Sequence, residues 1–374
     1  MPVIRALVIA VTLCASAAVA HAYPQFQLGK EQACTACHLA PAGGGLLDGM
    51  GPLTAEDNAT FGGHPGFLHG VFEPPEWLLL GGFFRSAVGV IDNGGDARAA
   101  FIPMQYELHA GLRKQHVSAY VTAGYSPPSE DKVSNAVLLR EHWVMYRTAE
   151  GVDPGYYVRA GRYMPTYGLR MAEHPSYTRK YGGTPLYGET YNLSGGYISA
   201  GFEVHATAFM RDRLRKDYAL EQGDGFAVYT EKRVSDTLAV GGEFRFAKSP
   251  AEWRAQGGLT GKYWFGDPQL QFSGELQLVH QKFDAPGSES RNQLVGYGMV
   301  SWLGLKGFMF DLGLGHFDED VSIKNVDRNA VDLNLHWFTQ THVELILMNR
   351  VQTIGFGDGG ETSFYSMVQI HYRL

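Results

Sequence analysis

The amino-acid sequence predicts an all-β fold: a transmembrane antiparallel β-barrel of about 16 strands behind a small N-terminal segment. Three observations lead there. From Trp77 onward apolar and polar residues alternate with the period of two that marks a strand with two unlike faces. The connections between these stretches are long and short by turns. The chain opens with an export signal and holds no later apolar run long enough for a membrane helix.

Taken in order, residues 1–22 read as a secretory signal peptide. Arg5 supplies the positive start, Ala6 to Ala20 the apolar run, and Ala20-His21-Ala22 the small-residue cleavage site before Tyr23. Cleavage removes Cys14 and leaves Cys34 and Cys37, which excludes a disulfide scaffold. The net charge of −7 comes with no basic face or run, which excludes a nucleic-acid partner. With 47 glycines and 13% aromatics the composition suits a β-barrel.

Residues 23–74 form the second unit, and Cys34-Thr35-Ala36-Cys37-His38 is its chemical centre. This spacing fits c-type haem attachment: two thiols bond the porphyrin vinyl groups, and the adjacent imidazole reaches the iron from the same turn. A thioredoxin-like redox pair would need a βαβ neighbourhood, and Gly-rich sequence follows instead. The cofactor expected is one covalent haem c with His38 as proximal ligand. For the distal position the segment offers Met50, His64 and His69, and a methionine would raise the reduction potential relative to a second histidine. A unit this short cannot bury a substantial core alone, so it is expected to lean on its cofactor and on the barrel.

Residues 75–374 form the barrel. Strands are expected near 77–91, 100–114, 116–126, 136–148, 156–164, 191–199, 202–212 and 224–234. The second half follows near 237–248, 251–265, 268–283, 291–304, 306–317, 327–338, 341–354 and 362–374. Val331, Leu333, Leu335 and Trp337, interleaved with Asp332, Asn334 and His336, give the clearest alternation. An even number of strands with alternating loop lengths puts both termini on the periplasmic side. Long external loops are expected at 127–135, 165–190, 213–223, 318–326 and 355–361. Phe364, Val368, Ile370, Tyr372 and Leu374 share one face of the last strand. Trp77, Tyr125, Tyr163, Tyr191, Tyr263 and Trp337 lie near strand ends, where an aromatic girdle belongs. A soluble sandwich also alternates, so polarity alone leaves that reading open.

Ala22-Tyr23-Pro24-Gln25-Phe26, followed at Cys34 by the haem motif, resembles the fused monohaem cytochrome c–porin family of outer-membrane iron-oxidase type. Ala22, Pro24, Phe26, Cys34, Cys37 and His38 stand at the matching spacing. Gln27-Leu28-Gly29-Lys30 departs from the Ala-Arg-Lys-aromatic stretch usual there, and this barrel is shorter. The resemblance implies one-electron transfer from an extracellular donor, such as ferrous iron, through the haem to a periplasmic carrier such as a soluble cytochrome.

On the strand phase above, the lumen is lined by Glu107, His109, Arg113, Glu203, His205, Arg211, Glu243, Arg245, Arg254, Lys262, Glu275, Asp311, Asp332 and His336. Mixed signs suit an internal salt-bridge ladder and a haem segment that enters the barrel mouth, and none of these residues is singled out as catalytic. The acidic stretches Ser129-Glu130-Asp131 and Asp318-Glu319-Asp320, with Asp358, could collect a metal donor or simply be solvated. Two alternatives stay open: a diffusion porin whose haem segment plugs, gates or senses redox state, and an outer-membrane sheath that presents its haem to another cytochrome.

Overall fold

The computed structural model describes residues 33–125, 137–171, 175–185, 188–213, 223–285, 287–355 and 361–374. The signal peptide and residues 22–32 of the family resemblance lie outside them, as do Ser129-Glu130-Asp131 and Asp358.

Sixteen antiparallel strands close into one barrel in which every strand pairs with its sequence neighbours. They are β1 (Leu78–Asp92), β2 (Ala97–Lys114), β3 (Val117–Tyr125), β4 (Val137–Arg147), β5 (Gly155–Tyr163), β6 (Thr190–Ile198), β7 (Phe202–Met210) and β8 (Asp224–Ser235). The circuit continues with β9 (Leu238–Lys248), β10 (Glu252–Phe265), β11 (Leu270–Phe283), β12 (Ser290–Leu305), β13 (Phe308–Asp318), β14 (Arg328–Gln340), β15 (Val343–Ile354) and β16 (Glu361–Arg373). β1 and β16 seal the barrel with Phe83 opposite Arg373 at one end of the seam and Asp92 opposite Phe364 at the other. Closure leaves no strand edge unpaired, the condition for sheet backbone to sit in lipid.

The two faces are inverted relative to a water-soluble protein. On β14, Val331 and Leu333 are 47% and 58% exposed on the outer face, while Asp332, Asn334 and His336 are 6%, 7% and 2% exposed on the inner one. β11 repeats the pattern, with Phe272, Leu276 and Leu278 outside and Gln271, Ser273, Glu275 and Gln277 inside. A sandwich would bury its apolar faces against each other. A sheet that turns leucines outward and carboxylates inward spans a bilayer.

All fourteen charged or imidazole residues expected in the lumen carry little or partial exposure, and most are ion-paired. Arg140 bridges Glu107 at 2.6 Å and Glu189 at 2.9 Å. Lys262 bonds Glu231 at 2.6 Å, and Arg233 spans Glu231 and Glu203. His336 lies between Asp311 and Glu344, which also takes His371. Isolated buried charges are costly, so these pairs satisfy charges that the outward-apolar pattern forces inside.

One rim, called near here, carries the start of β1, the end of β16 and mostly tight turns. The far rim carries the longer connections. Tyr163 departs from the expected girdle. It is 1% exposed, its hydroxyl donates to Arg159 O and Ser194 Oγ, and it faces inward in phase with Tyr157 and Arg159 of the same strand. Trp77, Tyr125 and Tyr263 do face outward.

Leu333→Arg, at the middle of the outer face of β14, is expected to destabilise the lipid-embedded barrel by about 2–4 kcal/mol. Equilibrium unfolding in lipid vesicles measures it.

Candidate functional site

Residues 33–50 form a lasso seated inside the near half of the barrel. Cys34–Ala36 is a 3-10 turn, closed when Cys37 N and His38 N both donate to Cys34 O at 3.2 and 3.0 Å. The chain then reverses through Gly43, Gly44 and Gly45, whose φ values of 74°, 74° and 62° suit glycine. On the return, Leu39 N donates to Leu46 O, His38 pairs with Leu47, and Asp48 N and Met50 N donate to Cys37 O and Ala36 O. Helix α1 (Gly51–Asn58) follows, with Pro52 in its first turn.

Ala33, Leu39, Ala40 and Leu46 pack into one apolar cluster with Tyr120, Trp143, Met145, Tyr157, Tyr163 and Ile198 from the inner faces of β3 to β6. Thr35 Oγ1 donates to Gly151 O at 2.7 Å, tying the haem motif to the β4–β5 turn. Asp48 pairs with Arg113 of β2. Beyond α1 the chain lines the near rim, where Thr60 N and Phe61 N donate to Phe338 O and Thr339 O at the end of β14.

The lasso is met from the other side by the connection between β5 and β6. Sequence reasoning read residues 165–190 as an external loop; instead the described part folds back into the lumen. Leu169 N donates to Glu275 at 2.8 Å. Tyr177, at the start of the short helix α2 (Tyr177–Lys180), packs with Val279, Val295 and Phe317, and Tyr181 stacks on Phe317. Arg170 touches both partners, donating to Pro41 O at 3.1 Å and to Glu203 at 2.8 Å. The stretch Tyr167-Gly168-Leu169-Arg170-Met171, apolar but for Arg170 and so unusual for a solvated loop, was the signal available in sequence. Between lasso and loop the lumen wall is covered: Glu203, His205, Gln271 and Ser301 are each 0% exposed.

Cys34, Cys37, His38 and Met50 are thus brought together in one small turn system. His64 and His69 are not. His64 is exposed on the rim, with Nδ1 accepting from Gly66 N and its carbonyl accepting from His342. His69 bonds the Tyr372 hydroxyl at 2.9 Å, and its ring lies 4.2 Å from that of His342.

The residues present fit a covalent haem. Cys34 and Cys37 are not joined as a disulfide. A Cβ placed on Gly43 would stand 3.4 Å from Cys34 Sγ and 3.7 Å from His38 Cδ2, so thiol and imidazole face one side-chain-free cradle. Beside it Gly44 opens onto space with nothing within 4 Å. Burial pushes the Cys34 thiol pKa up, against the pull of Arg170.

The acidic stretch Asp318-Glu319-Asp320 is engaged within its own loop. Glu319 pairs with Arg291 at 2.6 Å, and Asp320 accepts from Ser322 N and Oγ, which hold its carboxyl below the usual range. Among the described residues no group of three His, Cys, Asp or Glu side chains is arranged to hold a metal ion.

No family model and no curated protein matches the chain. Solved structures do match its fold. The anion-selective porin from Comamonas acidovorans superimposes with a TM-score of 0.61 at 14% identity, over 79% of this chain and 99% of that one. OmpT of Vibrio cholerae gives 0.60 at 11%, over 81% and 99%, and OprB of Pseudomonas putida gives 0.57 at 10%, over 79% and 93%. At such identities the likeness concerns the barrel fold.

Gly45→Val places a β-branched residue at φ 62° with its Cβ 2.6 Å from the Tyr120 hydroxyl. The strain of about 1–3 kcal/mol is expected to unseat the lasso while the barrel stays folded. Limited proteolysis should then cut within residues 33–75 while the barrel keeps its resistance to heat.

Proposed function

We propose that the chain is an outer-membrane electron conduit: a barrel whose lumen holds one c-type haem on Cys34, Cys37 and His38, passing electrons from an outside donor to a periplasmic carrier. Residues 1–22 are its export signal, 23–74 its haem segment and 75–374 its barrel, with both termini periplasmic. The observation that carries this reading is the seating of the Cys34–His38 turn inside the barrel wall, where a pore for diffusion would keep open water.

When bound, the haem supplies a one-electron couple at its iron. The chain's own residues do the rest. Thr35, Leu39 and Leu46 fix the turn against β2 to β6, so that the thiols and His38 keep one orientation. Arg170 holds the far side of the lasso through Pro41. The inward loop and the ion-paired lumen exclude bulk water, and burial of this kind is a lever on reduction potential. Of the three distal candidates Met50 belongs to the same hydrogen-bonded turn system, whereas His64 and His69 are engaged at the rim. Met50 is therefore the residue that would join His38 in holding the iron. The electron donor is assigned as an extracellular reductant of the ferrous-iron class on the family resemblance.

The porin reading keeps one point in its favour, the likeness of the barrel to channels such as the anion-selective porin. It predicts a large conductance. The conduit reading predicts that the full-length protein in planar bilayers conducts far less than an open 16-strand porin, while denatured protein retains haem through the Cys34 and Cys37 thioethers. Conductance of open-porin size with no covalent haem would decide for the porin.

Met50→Ala is expected to convert a low-spin haem spectrum to high-spin, while His64→Ala and His69→Ala leave it unchanged; visible absorption of the three variants checks the assignment.

A further inference from the structure

We propose that Arg159 and Trp143 form a carboxylate-binding site in the lumen wall beside the haem turn, and that a propionate of the haem occupies it. The source of that carboxylate rests on the function proposed above; the site itself does not.

Arg159, on the inner face of β5, is 1% exposed, yet its Nε and Nη2 have no hydrogen-bond acceptor. Among the described residues no carboxylate lies within 4.0 Å of it, and Glu141 on neighbouring β4 attracts it only at longer range. Its guanidinium lies 3.6 Å from the ring centre of Tyr163 and 5.3 Å from that of Trp143. Trp143 is 4% exposed, and its indole Nε1 has no acceptor either. Cation–π contact offsets part of the cost of burying a guanidinium but satisfies none of its N–H groups.

Three buried donors gathered on two touching side chains, with no acceptor among them, call for a ligand that only accepts. An ionised carboxylate meets that need, because it brings a negative charge into contact and up to four lone-pair sites. Five other lumen arginines show the contrast, Arg140, Arg162, Arg170, Arg233 and Arg350 each having a carboxylate, and Arg245, which has none, donates to Gln256 Oε1 instead. Location identifies the source. Trp143 and Tyr163 belong to the apolar cluster that seats Ala33, the residue before Cys34, and Leu39, the residue after His38. A porphyrin bonded at Cys34 and Cys37 carries two propionates into this neighbourhood.

The test uses the full-length protein in detergent, as the native chain and as Arg159→Gln, Arg159→Lys and Trp143→Phe. In haem-bearing protein, Arg159→Gln should favour the oxidised state about tenfold at fixed potential, equivalent to about 59 mV for one electron. Arg159→Lys should restore most of that loss. Resonance Raman bands of the propionate bends should move in Arg159→Gln and in Trp143→Phe. Unchanged potential and unchanged propionate bands in both variants overturn the proposal. If the protein proves to carry no haem, acetate is titrated into it and the fluorescence of Trp143 is isolated by difference from Trp143→Phe. A saturable change that Arg159→Gln abolishes keeps the site with a free carboxylate as its occupant and removes the haem reading. No such change overturns both.

Discussion

A closed sheet in a bilayer has to serve two solvents with one backbone, and the rest of this molecule follows from that. Pairing β1 with β16 removes the last free edge, which hydrocarbon would otherwise penalise by several kcal/mol for each unmet backbone group. The outer positions of every strand are then committed to apolar side chains, so the polar residues that alternate with them have nowhere to go but the lumen. There they would form an open aqueous pore unless something filled it.

In this chain two segments fill it, one from each rim. The lasso of residues 33–50 brings its own small core, and the inward β5–β6 loop brings Tyr167, Leu169, Met171 and Tyr177. Filling the lumen changes the energetics of its walls. Glu203, His205 and Lys262 lose contact with water, so they must be compensated by neighbours, and the network of Arg170, Arg233, Glu203, Glu231 and Lys262 is that compensation. A charge left out of such a network, as Arg159 is, marks a place where a partner of opposite sign belongs.

The barrel was legible in the sequence because period-two alternation is a local signal. Every expected strand reappears within a few residues of its expected limits, and the inward phase of Asp332, Asn334 and His336 follows from their neighbours Val331, Leu333 and Leu335. The spacing of Cys34, Cys37 and His38 was visible as a motif, and the chain folds it into a single turn. What the sequence hid was long-range. Nothing near Thr35 points to Gly151, and nothing near Arg170 points to Pro41. The direction in which residues 165–190 fold depends on the width of a lumen that a single strand does not encode. Tyr163 differs for another reason: its place near a strand end suggested the girdle, whereas the alternation of β5 turns it inward with Tyr157 and Arg159.

The account stands on electrons, and not solutes, crossing the barrel through the Cys34–His38 turn. The most direct measurement places the full-length protein in sealed vesicles that enclose a membrane-impermeant oxidant, with an impermeant reductant outside. The account predicts that the enclosed oxidant is reduced while the vesicles stay tight to small ions, and that Cys37→Ala abolishes the reduction. An enclosed oxidant that stays oxidised in the presence of the native protein, while ions leak freely, would contradict it.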